Sequence, residues 1–366
     1  MTVTVQDRIR VTFVLPSFAG GGAERVMLTL IRHLDRTRFT PTLVVLSGEG
    51  PLRDSVPDDL TVVDLERPRL RHAWFRLGDA LRATSPDIVV PTISHINLAA
   101  LMQRRRLAAG TRIVARESNT PSASLGATRW PRLYRWLYRR YCRRADAILC
   151  PSQSVSAEFV AAFGIDPARL VVLPHPVDVD RLRGHSASPE RAPGAGLRFV
   201  AAGRLTRQKG FDRLIDAMPG LPDDTHLTIF GEGEDRTALV SRAKQRGVED
   251  RVAFAGFSSN PWPYFAGADA FLLPSRWEGM PNAALESLAV GTPVIARSEA
   301  GGVTEIGAVA EALTIVENDN AFTAAMAGVL TRSDLLLRPS VLPERFALEA
   351  VMRDFEVLLS RVSLAS

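Results

Sequence analysis

With 366 residues, 46% of them hydrophobic and 23% charged, the chain is too long for one ordinary core. It reads as two globular domains rather than as a disordered or fibrous protein. No apolar run reaches the ~18 residues of a membrane-spanning helix, and the two cysteines, Cys142 and Cys150, lack CxxC or metal-ligand spacing, which disfavours a disulfide framework or a zinc site and suits inert thiols in a reducing cytoplasm.

The chain opens on a buried-strand pattern from Arg10, although Val11 to Ala23 has a superficial likeness to a signal-peptide core. Asp7, Arg8 and Arg10 precede that run, Pro16 and three glycines interrupt it, and an amphipathic helix (Val26, Leu30, Ile31, Leu34) follows directly, so a first strand is the expectation. Further strand-like runs are Thr42 to Leu46, Leu60 to Asp64, Asp87 to Pro91, Arg112 to Ala115 and Ala147 to Cys150. A second series begins at Leu197 and continues through His226 to Phe230, Arg251 to Phe254, Ala270 to Pro274 and Pro293 to Ala296. Strands alternating with helical patterns predict parallel sheets covered on both faces, hence an α/β protein of two Rossmann-like domains. The Pro, Gly, Ser and Ala-rich stretch 185–196 is the expected linker between domains 1–184 and 197–345. In such sheets ligands sit beyond the carboxyl ends of the strands, and two domains facing each other place that region in a cleft.

Charge is unevenly divided. Residues 1–183 hold 27 arginines against 17 acidic residues, and Arg67 to Arg144 holds 17 against three. Such a field attracts an anionic surface or a polyanion. The segment Arg129 to Arg144 interleaves seven arginines with five aromatics, which suits a helix at a membrane interface. The same residues fit stacked nucleic-acid bases or a docked helix with core aromatics and solvated arginines. Peripheral contact with an anionic membrane is the expectation; a nucleic-acid partner is not.

The Gly20-Gly21-Gly22 and Gly231-Glu232-Gly233 clusters both lack the third glycine of a dinucleotide fingerprint. A Gly-rich turn into a helix can still cradle an anion, or can be a tight turn with no ligand. Gly203-Arg204-Leu-Thr-Arg-Gln-Lys209-Gly210 places two cations between a strand and a helix, as a diphosphate requires. Lys209 is one of only two lysines among 45 basic residues. Pro274-Ser-Arg-Trp-Glu278-Gly-Met-Pro281-Asn-Ala-Ala-Leu-Glu286 carries two carboxylates at the entry of a helix that Pro281 is expected to open. Carboxylates there can accept hydrogen bonds from vicinal hydroxyls, and a helix-dipole role for Glu286 leaves Glu278 unexplained. In the first half, His95 follows the strand ending at Pro91, with Ser94 and Asn97 in the same turn. Those two residues equally suit a helix cap. Glu117 is a further candidate, and pairing with Arg116 or another arginine explains it as well.

These segments carry a resemblance. The opening GGGAER, GRLTRQKGFDRLIDA, GEGEDR and PSRWEGMPNAALESLAVGTPVIA together resemble glycosyltransferase family 4, retaining enzymes of the GT-B fold, over nearly the whole chain. The resemblance implies that Glu278 meets the donor sugar's hydroxyls and Glu286 the ribose. It implies that Arg204 and Lys209 bind the diphosphate, which Gly21 and Gly22 line from the other domain. The base is expected near Gly231, Gly233 and Phe257, with Gly279, Met280 and Pro281 as further donor contacts. His95 is the catalytic candidate of the first half, with Asn97 and Glu117 beside it toward an acceptor, and residues 346–366 form a helix packing back on the first domain. The implied reaction moves a hexose or N-acetylhexosamine from a nucleotide-sugar, UDP-linked before GDP-linked, to a glycan or lipid-linked glycan. No cofactor or metal is implied; Asp178-Val179-Asp180, which looks like a DxD metal motif, reads as a structural turn. The expected place is the cytoplasm, at the inner face of its membrane. Other readings are a different GT-B enzyme, such as a sugar-nucleotide epimerase or a phosphorylase, or a sugar-nucleotide-binding protein without activity.

Overall fold

The computed structural model describes residues 8–126, 128–191 and 196–364. They pack as two units, one running to Pro176 and resuming at Glu349, the other spanning Val177–Leu348.

The first unit holds strands β1 (Ile9–Leu15), β2 (Phe39–Val45), β3 (Thr61–Asp64), β4 (Ile88–Pro91), β5 (Arg112–Arg116), β6 (Ala147–Cys150) and β7 (Leu170–Val172). Between them lie helices α1 (Gly22–His33), α2 (Leu70–Ala83), α3 (Ser94–Met102), α4 (Pro121–Gly126), α5 (Pro131–Cys142) and α6 (Gln153–Phe163). The sheet is parallel throughout, in the order β3-β2-β1-β4-β5-β6-β7. A parallel sheet is covered on both faces, so its strands need apolar residues in succession rather than alternation. β1 meets that requirement, with Val11, Phe13, Val14 and Leu15 all fully buried.

The second unit begins with α7 (Val179–His185) and continues β8 (Arg198–Ala202), α8 (Phe211–Ala217), β9 (His226–Phe230), α9 (Arg236–Gln245), β10 (Val252–Gly256), α10 (Trp262–Gly267) and β11 (Ala270–Leu273). It ends with α11 (Asn282–Ala289), β12 (Val294–Arg297), α12 (Val303–Gly307), β13 (Leu313–Val316) and α13 (Asp319–Ala327). Its parallel sheet runs β10-β9-β8-β11-β12-β13. Two apolar layers sandwich it, one including Leu285, Leu288 and Val303, the other Leu214, Leu239 and Phe322.

Helix α14 (Leu348–Leu364) returns the chain to the first unit. Val351, Phe355, Leu358, Leu359 and Val362 are buried along it, the spacing of one helical stripe. Phe355 lies 6.4 Å from the ring of Phe13, and Glu356 accepts from the Asp35 backbone N–H at 2.9 Å and from Arg38 at 3.2 Å. Full burial of a side chain like Phe355 is worth about 1.5–3 kcal/mol.

The dividing line corrects one expectation. It falls between Pro176 and Val177, not in 185–196. Leu182 is part of the second unit's core, the Glu190 N–H donates to the Pro263 carbonyl at 2.9 Å, and Arg191 pairs with buried Asp269 at 2.7 Å. Those contacts hold the described part of that stretch to the second unit; positions 192–195 lie outside the described residues.

Both sheets reverse their strand order at an internal pair, β1/β4 in the first and β8/β11 in the second. Loops leaving the two strands of such a pair run to opposite sides and open a crevice at their carboxyl ends. Gly21, Gly22 and His95 follow β1 and β4, and Arg204, Lys209 and Glu278 follow β8 and β11, whereas Glu117, Gly231, Gly233 and Phe257 follow the neighbouring strands β5, β9 and β10.

Candidate active site

In the second unit the loops after β8 and β11 are bonded to each other. Gln208 donates its side-chain amide to the Trp277 carbonyl at 2.9 Å, and the Arg276 N–H donates to the Gln208 carbonyl at 2.8 Å. Arg276 grips Asp212 with two hydrogen bonds of 2.8 and 2.6 Å, the bidentate geometry only a guanidinium offers. Gly210, at φ 68°, closes the first loop where a Cβ would collide with the Pro274 carbonyl, so no other residue fits there without strain.

This scaffold brings Lys209 to Glu278. Lys209 Nζ donates to Glu278 Oε1 at 2.6 Å, and Ser275 Oγ donates to the same oxygen at 2.7 Å. The Lys209 stem crosses the face of Gly203, where a Cβ would stand 3.0 Å from Lys209 Cε. Gly203 therefore clears the path by which the ammonium reaches the carboxylate. The lysine side chain keeps 20% of its exposure and that of Glu278 7%, so the pair is shielded yet open at the lysine end. An ammonium has three donors, and a ligand anion can take those that Glu278 does not. Arg204 stands exposed on the same loop, and its guanidinium has no partner among the described residues.

Glu286 lies on α11, half-buried, and accepts from Trp262 Nε1 at 2.9 Å. Pro281 occupies the N-cap rather than the first helical position, so α11 starts one residue after the expected place. Gly231 and Gly233 pack against the backbone of Gly203 and Leu205, and the Gly203 and Leu205 N–H groups donate to the Phe230 and Glu232 carbonyls at 2.9 Å each. Close backbone approach is thus their structural use. Gly279, Met280 and Pro281 are buried, and the Met280 thioether packs toward Gly302, so side-chain contact with a ligand is not what Met280 offers here. Phe257, beyond β10, is 43% exposed.

In the first unit Gly21 is the N-cap of α1, in extended conformation, and Gly22 is its first residue, directly after β1. The turn between β4 and α3 contains Ile93 at φ 65°, a left-handed conformation that costs a β-branched residue about 1–3 kcal/mol. Ser94 and Asn97 do not cap α3; Ile93 holds the cap position. Their side chains go to Glu117 instead, Ser94 Oγ to Oε2 at 3.0 Å and Asn97 Nδ2 to Oε1 at 2.5 Å. Tyr138 of α5 donates its hydroxyl to Oε1 as well. Glu117 therefore has three uncharged hydrogen-bond donors rather than an arginine pairing, while Arg116 donates to Thr92 Oγ1 at 3.0 Å. Burial pushes the Glu117 carboxyl up to about 8, against the pull of Asn97, Ser94 and Arg116. Of the three acceptor-side candidates only His95 is exposed; Asn97 and Glu117 are buried, so the enclosing side chains leave His95 alone to meet a ligand in this arrangement. Desolvation lowers the His95 imidazole pKa.

Helix α5 shows mixed character. Tyr138 and Cys142 are core, whereas Trp130, Leu133 and Trp136 are 60%, 51% and 61% exposed. Arg132, Arg139 and Arg140 are exposed on the face of Leu133 and Trp136. Cys142 and Cys150 are buried free thiols. Asp178 caps α7 by accepting from the Arg181 N–H at 3.0 Å. Among the described residues no three His, Cys, Asp or Glu side chains gather as a metal site, and no helix is long and apolar enough to cross a membrane.

Sequence reasoning missed Ser275, Gln208 and Trp262. Ser275, three residues before Glu278, and Gln208, beside Lys209, both lie inside the motifs; Trp262 carries no local signal.

Known proteins bear on these sites. The glycosyl transferases group 1 family matches residues 188–340, and Glycosyltransferase Family 4 matches residues 20–181. An N-acetylgalactosamine-N,N'-diacetylbacillosaminyl-diphospho-undecaprenol 4-alpha-N-acetylgalactosaminyltransferase of Campylobacter jejuni is 29% identical over 83% of this chain and 85% of its own length. The lipopolysaccharide core biosynthesis glycosyltransferase LpsE of Rhizobium meliloti is 28% identical over 76% of each. Among solved structures, Anabaena HepE in complex with UDP and glucose superposes with a TM-score of 0.76 at 17% identity, covering 97% of this chain and all of that one.

Proposed function

The chain belongs to glycosyltransferase family 4, with the GT-B fold, and from that premise we propose that it is a retaining, metal-independent transferase of a hexose or N-acetylhexosamine. The donor is a nucleotide-sugar, UDP-linked in the first instance. The acceptor is a glycan or lipid-linked glycan of surface polysaccharide synthesis. One observation carries this reading: Lys209 and Glu278 form a shielded pair at the switch point of the second sheet. The names of the Campylobacter and Rhizobium relatives and the UDP in the Anabaena structure support the choice of donor and acceptor class.

The residues divide the work by charge. Lys209 and Arg204 take the donor diphosphate and stabilise the charge that builds on it as the glycosidic bond breaks. Glu278 accepts hydroxyls of the transferred sugar, and Glu286, held by Trp262, accepts those of the ribose. Gly21 and Gly22 stand at the start of α1, whose positive helix end favours an anion. His95 meets the acceptor side. Retention through a covalent intermediate needs two carboxyl groups about 5–5.5 Å apart, one of them a nucleophile. Lys209 and Ser275 already engage Glu278, so a front-face route is favoured, in which the leaving phosphate oxygen takes the acceptor proton. The linkage formed from an α-linked donor is therefore expected to be α, read from the anomeric proton coupling of the product. A β product would overturn the mechanism.

The exposed face of α5 fits contact with an anionic bilayer. Trp136 and Leu133 supply apolar insertion, and each arginine reaching the surface adds roughly 1 kcal/mol. Binding to vesicles containing anionic lipid is expected at low salt and should weaken as the Debye length shrinks toward ~8 Å. Replacing Arg132, Arg139 and Arg140 with Ser should reduce pelleting with vesicles and leave donor affinity unchanged. Equal pelleting of both proteins, or of neither at low salt, would return α5 to the role of a docked helix.

A further inference from the structure

Glu117 is a buried carboxyl that two helices reach for. Ser94 and Asn97 approach it from the first turn of α3, Tyr138 from α5, and its own N–H donates to the Leu149 carbonyl of β6 at 2.9 Å. We propose that Glu117 is a positioning residue whose carboxyl clamps the first turn of α3, and with it His95, against Tyr138 of α5. The strained turn supports this reading. Ile93 holds a left-handed conformation while its N–H donates to the Arg116 carbonyl at 3.2 Å and Asn97 donates to that same oxygen at 2.9 Å. Strain of that kind persists where surrounding contacts over-determine the backbone, and the clamp supplies them.

The clamp carries a proton at neutral pH. Burial raises the Glu117 carboxyl to about 8, with Glu158 of α6 adding to the rise and Arg116 opposing it. The other ionisable groups near it are Cys142 of α5 and Cys150 of β6, both pushed up by burial and so neutral, Tyr138 itself, and His95 of α3, whose pKa is lowered. Protonated, Glu117 can accept from the Asn97 Nδ2 group, which can only donate, and give its own proton to a hydroxyl, which can accept. Above about pH 8 the site holds a buried anion and depends on all three donors. Its folded pKa lies above the unfolded value, so its contribution to stability is complete below the unfolded pKa and falls as pH rises to about 8.

This clamp deepens the acceptor reading of His95 and rests on it only for its functional consequence. The test is histidine-resolved NMR of the full chain from about pH 5 to about pH 10, with the His95 signal assigned by its loss in His95→Gln. Two inflections are expected: the imidazole's own, below the ordinary range, and a second near 8 reporting Glu117. Glu117→Gln should abolish the second and keep the first. Ser94→Ala should move the second to higher pH, because that hydroxyl donates to the carboxylate and favours its ionisation. A single inflection in the wild type, or a second one that persists in Glu117→Gln, overturns the clamp. Should Glu117→Gln fail to fold, an inflection unmoved in Ser94→Ala overturns it equally. The acceptor reading fails separately: the clamp present in NMR, with wild-type transfer by His95→Ala, removes His95 from the acceptor side.

Discussion

Replacing Glu278 with Gln is expected to lower turnover about 10²-fold, the cost of misplacing a bound substrate by roughly an ångström, with little change in donor affinity. Gln keeps an oxygen for Lys209 and Ser275, so both hydrogen bonds of 2.6 and 2.7 Å can survive and the fold with them. What is lost is the negative charge that holds the ammonium in place and draws the sugar's hydroxyls. A loss of turnover with an unchanged melting midpoint separates this from unfolding. Turnover at the wild-type level in purified Glu278→Gln would remove Glu278 from the site.

Lys209→Ala should act more broadly. It removes the proposed diphosphate contact, at about 3 kcal/mol of transition-state stabilisation, and it leaves Glu278, whose side chain is only 7% exposed, without its cation. Burying an ionic group without its partner costs about 1–3 kcal/mol or more, so a lower melting midpoint should accompany the lost activity. Lys209→Arg is not expected to rescue it. The stem runs against Gly203 toward a carboxylate 2.6 Å from Nζ, a path that suits a compact ammonium rather than a planar fork. Arg204→Ala, exposed and without a partner among the described residues, should cost activity and leave stability unchanged. Wild-type activity should survive EDTA; activity lost to chelator and restored by Mn or Mg would overturn the metal-free phosphate grip.

The two carboxylates and the two cations could be singled out as candidates because their chemistry is local: a cation loop after one strand, and Glu278 and Glu286 around a Gly and a Pro. The long strands were legible because parallel sheets need unbroken apolar runs. Residues that break such runs blurred the edges. β2 starts at Phe39, but Pro41 conceals its first residues; Pro41 is tolerated because β3 pairs only from Thr42 onward. β7 and β13 were missed because both lie at sheet edges and are largely half-exposed, so neither shows a continuous buried run. The unit boundary at Pro176 is marked only by the two prolines Pro174 and Pro176, whereas 185–196 carries a stronger composition signal and is tied down by Arg191 and Asp269.

Glu117 shows the other limit. Its neighbour Arg116 suggested an ion pair, but Arg116 is the last residue of β5 and its side chain goes to a different partner from that of Glu117, which follows the strand. Arg116 turns to Thr92, and Glu117 to partners about 20 residues away on either side in sequence. Nothing in a window of sequence ties Ser94, Asn97 and Tyr138 to one carboxyl, and neither does any window show α14 returning to Asp35 and Arg38.

The second unit is proposed to grip a nucleotide-sugar through Lys209 and its loop. A ligand that binds only the folded state at 100 times its Kd stabilises by about 2.7 kcal/mol, enough to move a melting midpoint by several degrees. The direct measurement is therefore the midpoint of wild type and Lys209→Ala against UDP-, GDP- and ADP-sugars. One nucleotide-sugar, UDP-linked on this account, should raise the wild-type midpoint clearly and that of Lys209→Ala little. No shift with any of them, or equal shifts in the two proteins, would contradict the account.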